Sequence, residues 1–203
     1  MAATTLSNSF STGGHATAII VPFKGNPLTV SYSRLSSDVA TFQAKLAKLG
    51  ITPQAAVSIA LPNTYEFIVA FLASSWQRAI AAPLNAAYKQ EEFEFYIDDL
   101  SSALTLVPRG SFQANGAAVR AARKYKAAIA ECYWDAQRKE VILDVKDEGK
   151  LKGNGNQKIE RAQPDDVALV LHTSGTTGRP KAVGTPNPFA PCIIGMLILC
   201  RFH

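Results

Sequence analysis

From Leu35 to Leu49 the apolar residues Leu35, Val39, Phe42, Leu46 and Leu49 recur at intervals of four, three, four and three. That spacing is the stripe of an amphipathic helix, and Gly50 supplies its stop. Upstream, Thr17–Val21 and Leu28–Ser31 read as two short strands around a turn at Gly25-Asn26-Pro27. Downstream, Ala56–Leu61 reads as a buried strand. Pro62-Asn63-Thr64 breaks it, with Asn63 or Thr64 placed to cap the next helix. That helix, Tyr65 to Gln77, carries Phe67, Ile68, Val69, Phe71 and Leu72 over most of its surface and should be largely buried.

The alternation continues. Ile80–Leu84 is a strand, and a helix opens at Tyr88, with Glu91 and Glu92 favouring the positive end of its dipole. Phe93, Tyr96, Ile97 and Leu100 form its inner face, and Ala103–Val107 is the strand after it. Ala117–Lys126 is a helix whose Arg120, Arg123, Lys124 and Lys126 read as a solvated outer face. Ala127–Trp134 and Glu140–Val145 read as strands. The polar stretch from Lys146 to Gln163, with Gly149, Gly153 and Gly155, reads as a mobile connection. Val167–Leu171 is then apolar without alternation, as suits a strand covered on both faces. Strands alternating with helices predict an α/β fold: a doubly wound, mainly parallel sheet flanked by helices.

Composition narrows the class. The chain has 203 residues, 47% apolar and 18% charged, which is globular rather than disordered material. The formal charge of +5 is uneven: residues 1–110 hold seven Lys/Arg and seven Asp/Glu, against fourteen and nine in residues 111–203. The excess lies in the half that holds the Gly/Thr-rich run from Thr173, and no recognition motif or aromatic interleaving points to nucleic acid. Cys132, Cys192 and Cys200 are odd in number and lack metal spacing, as expected in a reducing compartment. Met1 to Gly14 is rich in Ser and Thr without Lys, Arg or a long apolar run, unlike a signal or transit peptide. Arg201-Phe202-His203 is not a peroxisomal address, and no run is long enough to span a membrane, so the expected location is cytoplasmic.

The chemistry sits after the last apolar run, in Thr173-Ser174-Gly175-Thr176-Thr177-Gly178-Arg179-Pro180-Lys181. Glycines let a ligand approach the backbone, so consecutive N–H groups can converge on an anion. Hydroxyls add neutral donors, and Lys181 adds a positive point charge. A strand feeding such a loop meets the needs of polyphosphate binding. The spacing is not that of a Walker A loop, and no G-x-G-x-x-G occurs. His172 abuts the loop as a packed or hydrogen-bonded strand-end residue rather than a base. Cys132 beside Tyr133 and Trp134 reads as a small buried hydrophobe. No nucleophile–base set and no metal cluster presents itself, so no residue is assigned a catalytic or metal-ligating role.

The run from Thr173 to Lys181 resembles the phosphate-binding signature of the AMP-binding, acyl-adenylate-forming superfamily, which includes acyl-CoA synthetases. A second stretch, Phe71-Leu72-Ala73 to Ala81-Ala82-Pro83-Leu84-Asn85-Ala86-Ala87-Tyr88, resembles another landmark of the same superfamily. The likeness extends over residues 17–183 and is greatest to the oxalate–CoA ligase and 4-coumarate–CoA ligase-like branch. It implies an ATP-dependent carboxylate–CoA ligase, of which this chain is the N-terminal part. It also implies that Ser174, Thr176, Thr177 and the amides of Thr173, Gly175 and Gly178 hold the β- and γ-phosphates of ATP, steadied by Lys181. Magnesium, a small carboxylic acid and coenzyme A are the family's other partners, and full-length relatives can be peroxisomal.

After Val183 the likeness stops. Three prolines, Pro186, Pro188 and Pro191, forbid a helix where relatives have one. Residues 184–203 are therefore expected to be a non-family tail, aberrant or disordered. In relatives the adenine pocket, an acidic ribose ligand, a magnesium-binding Glu and a C-terminal lysine come from sequence beyond this loop. Such a sheet is expected to be incomplete, with Val167–Leu171 and part of Tyr65–Leu72 facing water on an open edge or an uncovered face, and a tendency to aggregate. The alternative reading is a non-catalytic module that binds a nucleotide, or a partner through Arg120 and Arg123.

Overall fold

The structure, a computed structural model, describes residues 13–21, 27–153, 155–173 (Thr173 by its backbone) and 180–186. Two strands, β1 (Thr17–Val21) and β2 (Leu28–Ser31), form an antiparallel ribbon ahead of helix α1 (Tyr32–Leu49). Ser31 caps α1 by accepting a 3.2 Å bond from the Arg34 N–H. Gly50 ends it at φ 102°, a left-handed position that favours glycine, and its N–H bonds back to the last turn. The 3.6-residue stripe buries Leu35, Val39, Phe42 and Leu46 as expected.

The main sheet then builds through β3 (Ala56–Ile59), α2 (Tyr65–Trp76), β4 (Ile80–Pro83), α3 (Gln90–Asp99), β5 (Leu104–Val107), α4 (Ala117–Lys124) and β6 (Ala128–Asp135). Strands β7 (Glu140–Asp147), β8 (Val167–Thr173) and β9 (Lys181–Pro186) complete it. The order is β7-β6-β5-β3-β4-β8-β9. The five inner strands are parallel, while β7 and β9 pair antiparallel at the two edges. The expected mainly parallel α/β sheet is therefore present, closed at both ends by antiparallel hairpins.

Helices lie on both faces. Helices α1 and α2 cover one side, where Phe42, Leu46, Val69 and Leu72 meet Val57, Ile59, Leu104, Leu106 and Leu169. On the other, Phe93 and Ile97 of α3 and Val119 and Ala122 of α4 meet Ala60, Val107 and Ile129. Among the described residues the open-edge expectation fails. Strand β8 lies between β4 and β9 with Ala168, Leu169 and Val170 buried, and Tyr65, Ile68, Val69, Phe71 and Leu72 of α2 are buried too. The edge belongs to β9, which exposes Lys181, Ala182, Val183 and Gly184 and buries only Thr185. That strand also carries three residues past Val183, while residues 187–203 lie outside those described.

Two polar assemblies fix the layers. Arg78, at the turn from α2 into β4, grips Asp166 through Nε and Nη2 at 2.9 and 3.1 Å and Glu160 through Nη1 at 2.9 Å. Asp166 also accepts from the Gln163 N–H at 2.7 Å, so one carboxylate ties the entry of β8 to the far end of α2. At the other end of α2, Arg34 donates from Nε to both oxygens of Asp38, and the Tyr65 hydroxyl donates to the same carboxylate at 2.7 Å. Tyr65 meets Trp134 edge-on, which links α1 and α2 to β6. Burial first, then the Asp38 contact, drives the Tyr65 phenol far above its ordinary range.

Candidate functional site

The chain order of the parallel strands sets where a ligand can sit. The connection from β3 runs to β4 on one side, and the next returns past β3 to β5 on the other. In open α/β sheets the carboxyl ends of the strands, near such a reversal, form the binding crevice. A cavity of about 140 Å³ lies there, lined by Ala60, Phe93, Val107 and the first residues of α4. It is smaller than the roughly 300–1,000 Å³ of ordinary ligand pockets, so it is too small to seat a nucleotide.

The hydroxylated loop leaves the carboxyl end of β8, two strands from that reversal. Strand β8 returns as β9, and the register pairs Val170 with Gly184, Leu171 with Val183, His172 with Ala182 and Thr173 with Lys181. Of the seven residues singled out in the sequence, Thr173 and Lys181 are thus direct partners across the last rung of a ladder. Opposed α-carbons on such a rung are about 4.5–5.5 Å apart. Ser174, Gly175, Thr176, Thr177 and Gly178 lie outside the described residues, in the span these two close. The lysine therefore stands at the root of the loop on an exposed strand.

His172 occupies the rung before. Its imidazole is packed and hydrogen-bonded, as read from the sequence: Nε2 lies 3.0 Å from Asp99 Oδ2 at the end of α3. Its ring sits 4.6 Å from Tyr96 and 6.2 Å from Phe95. Tyr96 in turn stacks on Tyr88 at 5.2 Å, and burial with that contact pushes its phenol up to about 12. Sequence reading placed Tyr96 on the inner face of its helix but did not connect Asp99 and Tyr96 to His172.

The electrostatics beside the loop are lopsided. A groove of about 490 Å³ next to Pro180 is walled by Glu91, Glu94, Asp98 and Asp99 with Phe95. Carboxylates repel phosphate, so an anion is disfavoured in this groove.

The basic face of α4 is tied down. Arg120 donates to Gln90 and to the Asn115 carbonyl, Arg123 to the Asn115 side chain while covering the Phe112 ring, and Lys124 to Glu94. Lys124, with Gln90 second, holds the Glu94 carboxyl below the usual range. Cys132 is buried, which raises its thiol well above the usual value and leaves it inert. Among the described residues no group of three or more His, Cys, Asp or Glu is arranged to hold a metal, and no helix is long and apolar enough to cross a membrane.

Residues 8–186 match the model of the AMP-binding enzyme family. The chain is 40% identical over 156 residues to an oxalate–CoA ligase of Arabidopsis thaliana, covering 76% of this chain and 29% of that protein. It is 35% identical over 188 residues to an oxalate–CoA ligase of Saccharomyces cerevisiae, covering 82% of this chain and 34% of the relative. The chain thus spans about a third of the length of these relatives. Among solved structures, ATP-bound MatB from Rhodopseudomonas palustris superposes with a TM-score of 0.70 at 20% identity, over 98% of this chain and 37% of that one. A complex of VinN with 3-methylaspartate gives 0.67 at 20% identity, over 96% and 52%. At such identities the structures speak for the fold.

Proposed function

Because the chain belongs to the family of AMP-binding enzymes, we propose that residues 173–181 bind the β- and γ-phosphates of ATP, as the phosphate-binding part of an acid–CoA ligase. The observation that carries this reading is the pairing of Thr173 with Lys181 at the mouth of a Ser/Thr/Gly loop, at the carboxyl end of a buried parallel strand. The donor set suits polyphosphate. Hydroxyls of Ser174, Thr176 and Thr177 and the loop amides donate to phosphate oxygens, and Lys181 offsets their charge. ATP, when bound, supplies the phosphoanhydride whose α-phosphate a carboxylic acid attacks in such ligases. The chain's own residues hold the pyrophosphate end in place and neutralise it, which is positioning and electrostatic work. Magnesium and coenzyme A belong to the proposed full reaction and are assigned to no residue here.

The ligase part is taken to run to Pro186, where the family match and β9 both end. The groups that resemblance assigns to later sequence cost many powers of ten when lost together, since one preorganised donor is worth about 10²–10³. The 203-residue chain alone should therefore release pyrophosphate only at background rate from ATP, coenzyme A and a panel of carboxylic acids. Partner docking through Arg120 and Arg123 gains nothing from the structure, because both guanidinium groups already serve Gln90, Asn115 and Phe112.

Calorimetric titration tests the proposal. Tripolyphosphate and ATP should bind alike, near millimolar, or about −4 kcal/mol, and Lys181→Ala should remove the signal for both. Binding that survives Lys181→Ala would contradict it.

A further inference from the structure

The rung that precedes the loop holds a residue whose chemistry the phosphate reading does not use. Strand β8 alternates: Leu169 and Leu171 join the core beneath α1 and α2, so His172 turns to the α3 side. There the imidazole is 5% exposed while its partner Asp99 remains 42% exposed. Burying an imidazole costs desolvation that an apolar side chain of similar size would avoid. What the imidazole gains is direction. A carboxylate only accepts hydrogen bonds, so Nε2 donates to Asp99, which fixes the ring's rotation and the strand beneath it. Tyr96, itself stacked on Tyr88, closes over the ring, and α3 is anchored to the sheet by the buried Phe93 and Ile97.

We infer that His172, held by Asp99 and Tyr96, is a positioning residue for the polyphosphate loop. The inference rests on the phosphate-binding reading of residues 173–181. The root of the loop is gripped from two directions. The β8–β9 ladder holds it within the sheet, and the His172–Asp99 bond ties it to α3 out of the sheet plane. A site built from hydroxyls and amides works only if they are held within about 0.5 Å of the productive geometry. A rotation at His172 is passed along the backbone to Thr173, the first residue of the proposed site. Tyr96 also bridges the two stretches that carry the family likeness, because it stacks on Tyr88, which closes the first, and meets His172, which abuts the second.

The experiment measures tripolyphosphate affinity and thermal midpoint side by side for the full chain and four variants: His172→Leu, His172→Gln, Asp99→Ala and the double change His172→Leu/Asp99→Ala. Leu keeps the packing and removes the donor, Gln restores a donor, and Asp99→Ala removes an exposed acceptor without touching the core. Both His172→Leu and Asp99→Ala should weaken tripolyphosphate binding about tenfold. The double variant should be no worse than either, and His172→Gln should recover most of the affinity. Midpoints should not track these losses. Unchanged affinity in Asp99→Ala, or a loss confined to His172→Leu, would overturn the inference and leave the phosphate site standing. Failure of the unaltered chain to bind tripolyphosphate would overturn the phosphate site itself, and the inference with it.

Discussion

Removing the Asp166 carboxylate is the most informative stability perturbation, because three donors converge on it. Asp166→Ala deletes two bonds from Arg78, at 2.9 and 3.1 Å, and one from the Gln163 N–H at 2.7 Å. The Asp166 side chain is 8% exposed and that of Arg78 is 22% exposed. An orphaned, fully buried charge costs about 3–5 kcal/mol. Arg78 does not reach that limit, since it keeps Glu160 at 2.9 Å and has access to water. Charge-assisted bonds contribute about 1.5–3 kcal/mol, so the expected loss is about 2–3 kcal/mol. In a domain of this size each kcal/mol moves the midpoint by about 2–4 °C, which gives a fall of about 4–12 °C. Urea unfolding followed by circular dichroism reads the energy directly, with the slope unchanged. Arg78→Ala should cost a similar amount, and the double variant should show a coupling of about 1.5–2 kcal/mol. Single losses under about 0.5 kcal/mol, or strictly additive ones, would mean that Asp166 does not anchor β8 to the α2–β4 turn.

Burial of β8 gives a contrast between neighbouring strands. Leu169→Ala, in a side chain with no exposed surface, should cost about 3 kcal/mol, whereas Val183→Ala on the outer strand should stay below about 0.5 kcal/mol. The reverse order in chemical denaturation would contradict the sheet order. Alkaline pH supplies another test. A phenol whose pKa is raised on folding stabilises fully below its unfolded value of about 10, and that contribution drains away as pH rises through the folded value. Stability should therefore fall from pH 10 through about 12 as Tyr96 ionises, and further as Tyr65 does. Tyr65→Phe should flatten the upper part of that fall in pH-dependent unfolding curves, and an unchanged slope would contradict the burial of the Tyr65 phenol beside Asp38.

Much of the architecture is legible because local pattern and tertiary environment agree. The spacing of Leu35, Val39, Phe42 and Leu46 specifies α1, and β1 and β2 keep the bounds read from the sequence, while Gly25 and Asn26 of the expected turn lie outside the described residues. Strand β9 escaped detection for a physical reason. Lys181-Ala-Val-Gly-Thr-Pro186 is an edge strand with one buried residue, so it shows neither an apolar run nor a clean alternation. A terminal proline and an interior glycine suit such an edge and lower its apparent strand character. The partners of β8 were misjudged with it, which made a covered strand look open.

Strand β7 read two residues short because Lys146 and Asp147 extend the ladder while facing solvent. The helix α3 begins at Gln90 rather than Tyr88, where the Glu92 carboxylate accepts from the Lys89 N–H at 2.8 Å. Thr64 does sit at the cap of α2, but its hydroxyl bonds the Pro62 carbonyl instead of the helix. Within the candidate site, the loop's residue types were plain, and the pairing of Thr173 with Lys181 was not. His172 was placed correctly as packed, yet Asp99 lies 73 residues away, a separation that no local pattern bridges. The Arg78–Asp166 pair, 88 residues apart, was hidden for the same reason.

Mapping where polyphosphate touches the chain tests the central claim most directly. In an amide-resolved NMR titration of the labelled chain with tripolyphosphate, the account predicts shifts concentrated at residues 173–182, repeated with ATP and abolished in Lys181→Ala. Shifts centred on α4 around Arg120 and Arg123, with residues 173–182 unmoved, would contradict it.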